Sequence, residues 1–193
     1  TSHIYNYNSE DDIEKNPRST IAFNYDLNDK IEADQKKYGT DAKLMGKNGN
    51  PYLVTLTSKL LQLVLTKLAN FVPCGGIWMN TQRPEWNDAN NALAGYGLSI
   101  VTTAYLRRML SFLKGLYAAS PDASFTLPKT EKAFFDEILK IYSGTAPENT
   151  NNDTARAQFT RACGVAFEKE RKAFYKDPSL LTKTTSIKKD ELL

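Results

Sequence analysis

The residues best equipped for chemistry are concentrated in one run, Gly75-Gly76-Ile77-Trp78-Met79-Asn80-Thr81-Gln82-Arg83-Pro84-Glu85-Trp86-Asn87-Asp88, which continues through Ala89-Asn90-Asn91. Both tryptophans of the chain, Trp78 and Trp86, lie here beside the carboxylates Glu85 and Asp88, the guanidinium of Arg83 and the amides of Asn87 and Asn91. Aromatic faces stack on the apolar C–H faces of sugars, while amides, carboxylates and arginine bond the hydroxyls. This mixture points to a carbohydrate site with Trp78, Arg83, Trp86, Asn87 and Asn91 as substrate contacts.

Cleaving a glycosidic bond takes a proton donor for the leaving oxygen and a second carboxylate that activates water or attacks the sugar. Asp88 and Glu85 are the catalytic candidates in this run. They stand three residues apart, so on one helical turn they face the same way and cannot flank a bond. At most one of them is the acid, and its partner carboxylate must come from elsewhere. A purely architectural reading stays open: Asp88 caps a helix, Glu85 meets its positive end, and the two tryptophans pin the loop to the core. Arg83 fits either reading, as a bidentate partner of a carboxylate or as a donor to sugar hydroxyls.

The stretch Trp86-Asn87-Asp88-Ala89-Asn90-Asn91 resembles the Asp-Trp-Asn-Asp-Gly-x-Asn signature of inverting glycoside phosphorylases and cyclic-glucan enzymes, members of the six-hairpin, (α/α)-toroid glycosidase superfamily. The resemblance spans about seven residues and implies Asp88 as general acid, because in that family the aspartate after Trp-Asn has this role. Glu85 stands where the family has aspartate and Ala89 where it commonly has glycine, and no phosphate-binding histidine is available. The resemblance also implies a helical toroid, of which a chain of 193 residues would be part, together with the remainder of a parent polypeptide.

Other chemistries find little support. The single histidine is His3, and Cys74 and Cys163 are far apart with no Cys-x-x-Cys spacing. Neither a zinc site nor a Cys-His or Ser-His pair can be assembled, and no metal or organic cofactor is expected. Two reduced cysteines are expected rather than a disulfide. Twenty-five basic and 22 acidic residues are interspersed, leaving +3, so there is no electrostatic footprint for nucleic acid. No stretch approaches the roughly 20 apolar residues of a membrane span, and the expectation is a soluble protein. With 41% apolar and 24% charged residues, the composition excludes wholesale disorder.

The elements that must position the run follow from spacing. Residues 1–50 read as an irregular leading segment containing a short helix over 24–38 ended by Gly39, with turn formers at 45–51. Residues 51–193 read as a helical core. Thr57 or Ser58 caps a helix to about 71, with Leu60, Leu61, Val64, Leu65 and Leu68 on a wide apolar face. Val72-Pro73-Cys74-Gly75-Gly76 ends it in a sharp turn. From Asn87 or Asp88 a long helix runs to about 118, apolar on most sides and so expected to be covered by neighbours. Gly95 and Gly97 within it imply close approach of another helix backbone or a ligand, with helix packing favoured.

Pro121 and Pro128 bracket a loop. Further helices are expected over 130–142 and 153–175, the second with Lys169, Arg171 and Lys172 on a solvated face, and residues 186–193 read as the opening of one more. The expectation is a single all-α domain of antiparallel helical hairpins, equivalent to a partial (α/α) toroid. Its function is that of a glycoside hydrolase-like protein acting on an oligosaccharide or glycoside. The competing expectation is a non-catalytic helical module that binds carbohydrate or protein.

Overall fold

The computed structural model describes residues 5–39, 46, 48–79, 96–144 and 152–193. The helices α1 (Glu10–Lys15), α2 (Tyr25–Tyr38), α3 (Leu56–Leu68), α4 (Ile100–Ala119), α5 (Lys129–Gly144) and α6 (Asp153–Lys176) dominate. Between them run short strands: β1 (Tyr5–Tyr7), β2 (Ile21–Phe23), β3 (Phe71–Val72), β4 (Gly76–Trp78), β5 (Leu98–Ser99), β6 (Ser124–Pro128) and β7 (Thr184–Lys188). They pair antiparallel into sheets ordered β1-β2, β3-β4-β5 and β6-β7.

The all-α expectation is therefore corrected to a mixed, helix-rich fold, and the partial toroid of helical hairpins is not what these elements build. The difference lies in the connections. Residues 124–128, expected to be loop, alternate so that Phe125 and Leu127 face inward. Residues 184–188, whose end was expected to open a helix, carry the β-branched Thr184, Thr185 and Ile187, which suit a pleated surface. The two segments pair with Phe125 opposite Ile187 and Leu127 opposite Thr185. Leu127 and Ile187 are both fully buried, each worth about 2 kcal/mol relative to exposure.

Local rules are followed where elements are helical. Asn24 caps α2 through its side chain, and Gly39 ends it with a φ of 103°, a left-handed conformation natural to glycine. The Thr55 hydroxyl accepts from Ser58 N at the start of α3 and donates to the carbonyl of Thr126 at 2.8 Å, tying that cap to β6. Asn152 caps α6. The leading segment, expected to be irregular to residue 18, carries β1, α1 and β2. The α1 carboxylates Asp11 and Glu14 pair with Arg161 on α6.

The core has two adjoining parts. Leu61 and Leu65 of α3, Phe134 and Ile138 of α5, and Phe159, Cys163 and Phe167 of α6 close around Leu127 and Ile187. Val64, Ile77, Leu106, Leu113 and Tyr117 form the second part, between α3, β4 and α4. Cys163 is buried and Cys74 is exposed on the β3–β4 turn, so no disulfide joins them. Among the described residues, no helix is long and apolar enough to cross a membrane.

The long helix expected from Asn87 or Asp88 instead starts at Ile100. Leu98–Ser99 are extended and pair with β4, and the Ser99 hydroxyl accepts from Thr102 N at 3.0 Å as the helix cap. Gly97 lies in no helix, and its carbonyl accepts an ordinary strand hydrogen bond from Met79 N at 3.1 Å; Gly95 lies outside the described residues. Nor is α4 covered all round, since Ile100, Val101, Tyr105 and Phe112 stand exposed.

Candidate functional site

Of the residues singled out for sugar chemistry, Trp78 is described. Arg83, Glu85, Trp86, Asn87, Asp88 and Asn91 lie outside the described residues. The described structure does fix the two flanks of their segment. Trp78 on β4 lies opposite Leu98 on β5, and Ile77 lies opposite Ser99. The segment between therefore leaves and re-enters the fold at neighbouring points.

Several contacts lock these flanks. Gly76 has a φ of +143°, and a Cβ there would come within 3.0 Å of the Ser99 carbonyl oxygen. A Cβ on Gly75 would meet the Leu98 side chain at 2.4 Å. Gly76 lets β4 lie against β5 at a separation that a Cβ would strain, whereas at Gly75 the Leu98 side chain would have to turn aside. Ile77 N donates to the Thr103 hydroxyl at 3.1 Å, fastening β4 to the first turn of α4. The Trp78 backbone N–H donates to Asn70 O at 2.8 Å. Its indole N–H is buried without an acceptor among the described residues, a state that disfavours the site by about 1–3 kcal/mol until an acceptor arrives.

No model of a known protein family matches this chain, and no curated protein matches it.

Sequence reasoning missed a polar group in the core. Glu131, in the first turn of α5, is 3% exposed. It accepts a hydrogen bond from the Ser58 hydroxyl through Oε2, while Oε1 has no partner. Burial pushes its pKa up to about 7, the Ser58 bond opposes this in part, and the charge of Glu170 adds to it. Glu170 on α6 is itself pushed by burial to about 7, against a hydrogen bond from Thr130.

The signal was in the sequence. Glu131 precedes Phe134, Phe135 and Ile138 at helical spacing and so shares the apolar face of α5. A carboxylic acid that titrates near neutrality can exchange protons. Glu131 does not line the cleft between α3 and α4, and at 3% exposure its carboxyl is shielded from solvent.

Arg171 is a second correction. Expected on a solvated face, it is 7% exposed, with its guanidinium carbon 4.4 Å from the Tyr7 ring centroid and 4.3 Å from that of Phe167. It stands four residues beyond Phe167, which is four beyond Cys163, so it continues the inward stripe. Stacking between two rings compensates for part of its lost hydration. Among the described residues no group of three or more His, Cys, Asp or Glu side chains could hold a metal ion.

Proposed function

We propose that the chain is part of a carbohydrate-active protein in which the segment after β4 contacts the sugar and Asp88 donates a proton to a glycosidic oxygen. Trp78, Arg83, Trp86, Asn87 and Asn91 shape the binding surface, and Glu85 is the second carboxylate in the run. The observation that carries the reading is the seating of Trp78 and Leu98 side by side on β4 and β5. It supports a segment rich in sugar-binding residue types whose two ends are held together beside the N-terminus of α4. The indole N–H of Trp78, without an acceptor among the described residues, is a donor to a ligand or to a residue of the same segment.

The test is turnover of a panel of α- and β-glucosides, with and without inorganic phosphate, by the protein and by Asp88→Asn. Loss of cleavage in the variant with sugar binding retained is the expected result. Undiminished cleavage removes Asp88 as the acid. Binding can be followed through intrinsic fluorescence, because both tryptophans belong to the proposed surface.

The competing reading, a non-catalytic binding module, has a separate observation in its favour: the exposed apolar faces of α3 and α4. Absence of turnover on the whole panel supports it.

A further inference from the structure

Helices α3 and α4 lie against each other through Val64, Leu106 and Leu113, and beside that contact each leaves an apolar stripe open. On α3 the stripe is Leu56, Leu60 and Leu63, at i, i+4 and i+7. Leu56 is 69% exposed and Leu63 63%. On α4 it is Val101, Tyr105, Phe112 and Leu116, with Tyr105 63% and Phe112 61% exposed. Where the stripes meet, Leu56, Leu60, Leu116, Ala119 and Phe125 wall an apolar cleft of about 300 Å³. Apolar surface with a shallow, open cleft at one end suits a helix that rests one large side chain there among several smaller contacts.

Along α3 and α4 the charge has one sign, while Asp122 lies beside the cleft and accepts from the Ser120 hydroxyl. Residues 51–79 and 96–119 contain Lys59, Lys67, Arg107, Arg108 and Lys114 and no aspartate or glutamate. Among the described residues none of the five has an acidic partner; by helical spacing Arg107 and Lys114 stand on the far side of α4 from the Tyr105–Phe112 stripe, whereas Arg108 lies over the Tyr105 ring, its guanidinium carbon 5.5 Å from the centroid. By helical spacing Lys67 continues the α3 stripe four residues after Leu63, and Arg108 sits within the α4 stripe between Tyr105 and Phe112. Unpaired cations flanking exposed leucines and aromatics complement an apolar helix face edged with carboxylates.

We propose that the α3–α4 face is the docking groove for an acidic amphipathic helix of a partner protein, which seats a bulky apolar side chain in the cleft beside Leu56 and Leu116 and sets its carboxylates against Lys59, Lys67 and Arg108. This deepens the binding-module reading. It is independent of Asp88, because it is read out by peptide binding and not by turnover.

The test uses fluorescence anisotropy with two labelled helical peptides that share Leu and Phe at i, i+4, i+7 and i+11. One carries glutamate at the remaining positions and the other lysine. The acidic peptide is expected to bind at least roughly tenfold more tightly than the basic one and to weaken as salt is raised. Phe112→Glu, at an exposed position and with unchanged circular dichroism, should abolish binding. Lys59→Glu with Arg108→Glu should reverse the preference between the peptides.

Equal binding of both peptides, binding of neither, or binding unaffected by Phe112→Glu overturns the proposal. Two further arms can overturn it in favour of another occupant. One is cosedimentation with phosphatidylserine vesicles in the absence of acidic-peptide binding. The other is a concentration-dependent dimer that Phe112→Glu dissociates.

Discussion

Replacing Glu131 with glutamine should make the protein less sensitive to alkali. In the folded state burial holds the Glu131 carboxyl at about 7, against an ordinary 4.5. The unfolded chain therefore gives up this proton at a lower pH than the folded one. Through that window the unfolded state binds fewer protons, so stability falls as pH rises. The contribution is complete below the unfolded value and is lost as pH climbs through the folded one. The interval corresponds to roughly 3 kcal/mol, or about 6–12 °C in melting temperature for a domain of this size.

Glutamine keeps the shape and an acceptor for the Ser58 hydroxyl but has no proton to lose. Urea unfolding followed by circular dichroism at pH 5 and pH 8 measures the change for each protein. Glu170, which is also held near neutrality, is present in both proteins and largely cancels in the comparison. The wild type should lose roughly 3 kcal/mol more than Glu131→Gln between the two pH values. Equal losses would show that Glu131 is ionised in the folded core at neutral pH, refuting the argument from its burial.

Further outcomes follow from single positions. Gly76→Ala must place a Cβ against the Ser99 carbonyl at a positive φ and should destabilise by about 1–3 kcal/mol, read from the shift in urea midpoint. Gly115→Ala, in the exposed middle of α4 where nothing lies within 4 Å of the added Cβ, should stabilise by up to about 1 kcal/mol. Arg171→Ala empties the space between Tyr7 and Phe167 and should cost about 2–4 kcal/mol, with Arg171→Met recovering much of it. Hydrogen exchange at β1 should accelerate in the alanine variant, because the Tyr7 contact anchors that strand to α6.

The helices were largely legible. Asn24 and Gly39 bound α2 where capping rules put its ends, and the apolar repeats of α3, α5 and α6 fall within a few residues of their observed limits. The strands were not. A two-residue strand such as Leu98–Ser99 carries no periodicity of its own, and its existence depends on Gly75 and Gly76 admitting it against β4. β6 and β7 become a sheet because each supplies the other's hydrogen bonds across some 60 residues of chain, a relation that local pattern does not encode.

Charge misled in a different way. Arg171 was grouped with its neighbours Lys169 and Lys172, whereas its register with Cys163 and Phe167 decided its fate. The candidate sugar site was legible as a composition, and of its residues Trp78 is described, opposite Leu98.

The pairing of β6 with β7 also sets an order of assembly. During synthesis β6 emerges before α5 and α6, and its partner strand emerges only after both. Until then Leu127 lacks the cover of Ile187, and the β6 edge carries unpaired backbone groups able to capture another strand. Closure across so long a stretch of chain is slow compared with the winding of the helices it encloses. A nascent or partly unfolded molecule would thus expose an unpaired strand edge beside the apolar cleft at Phe125 until β7 arrives to cover it.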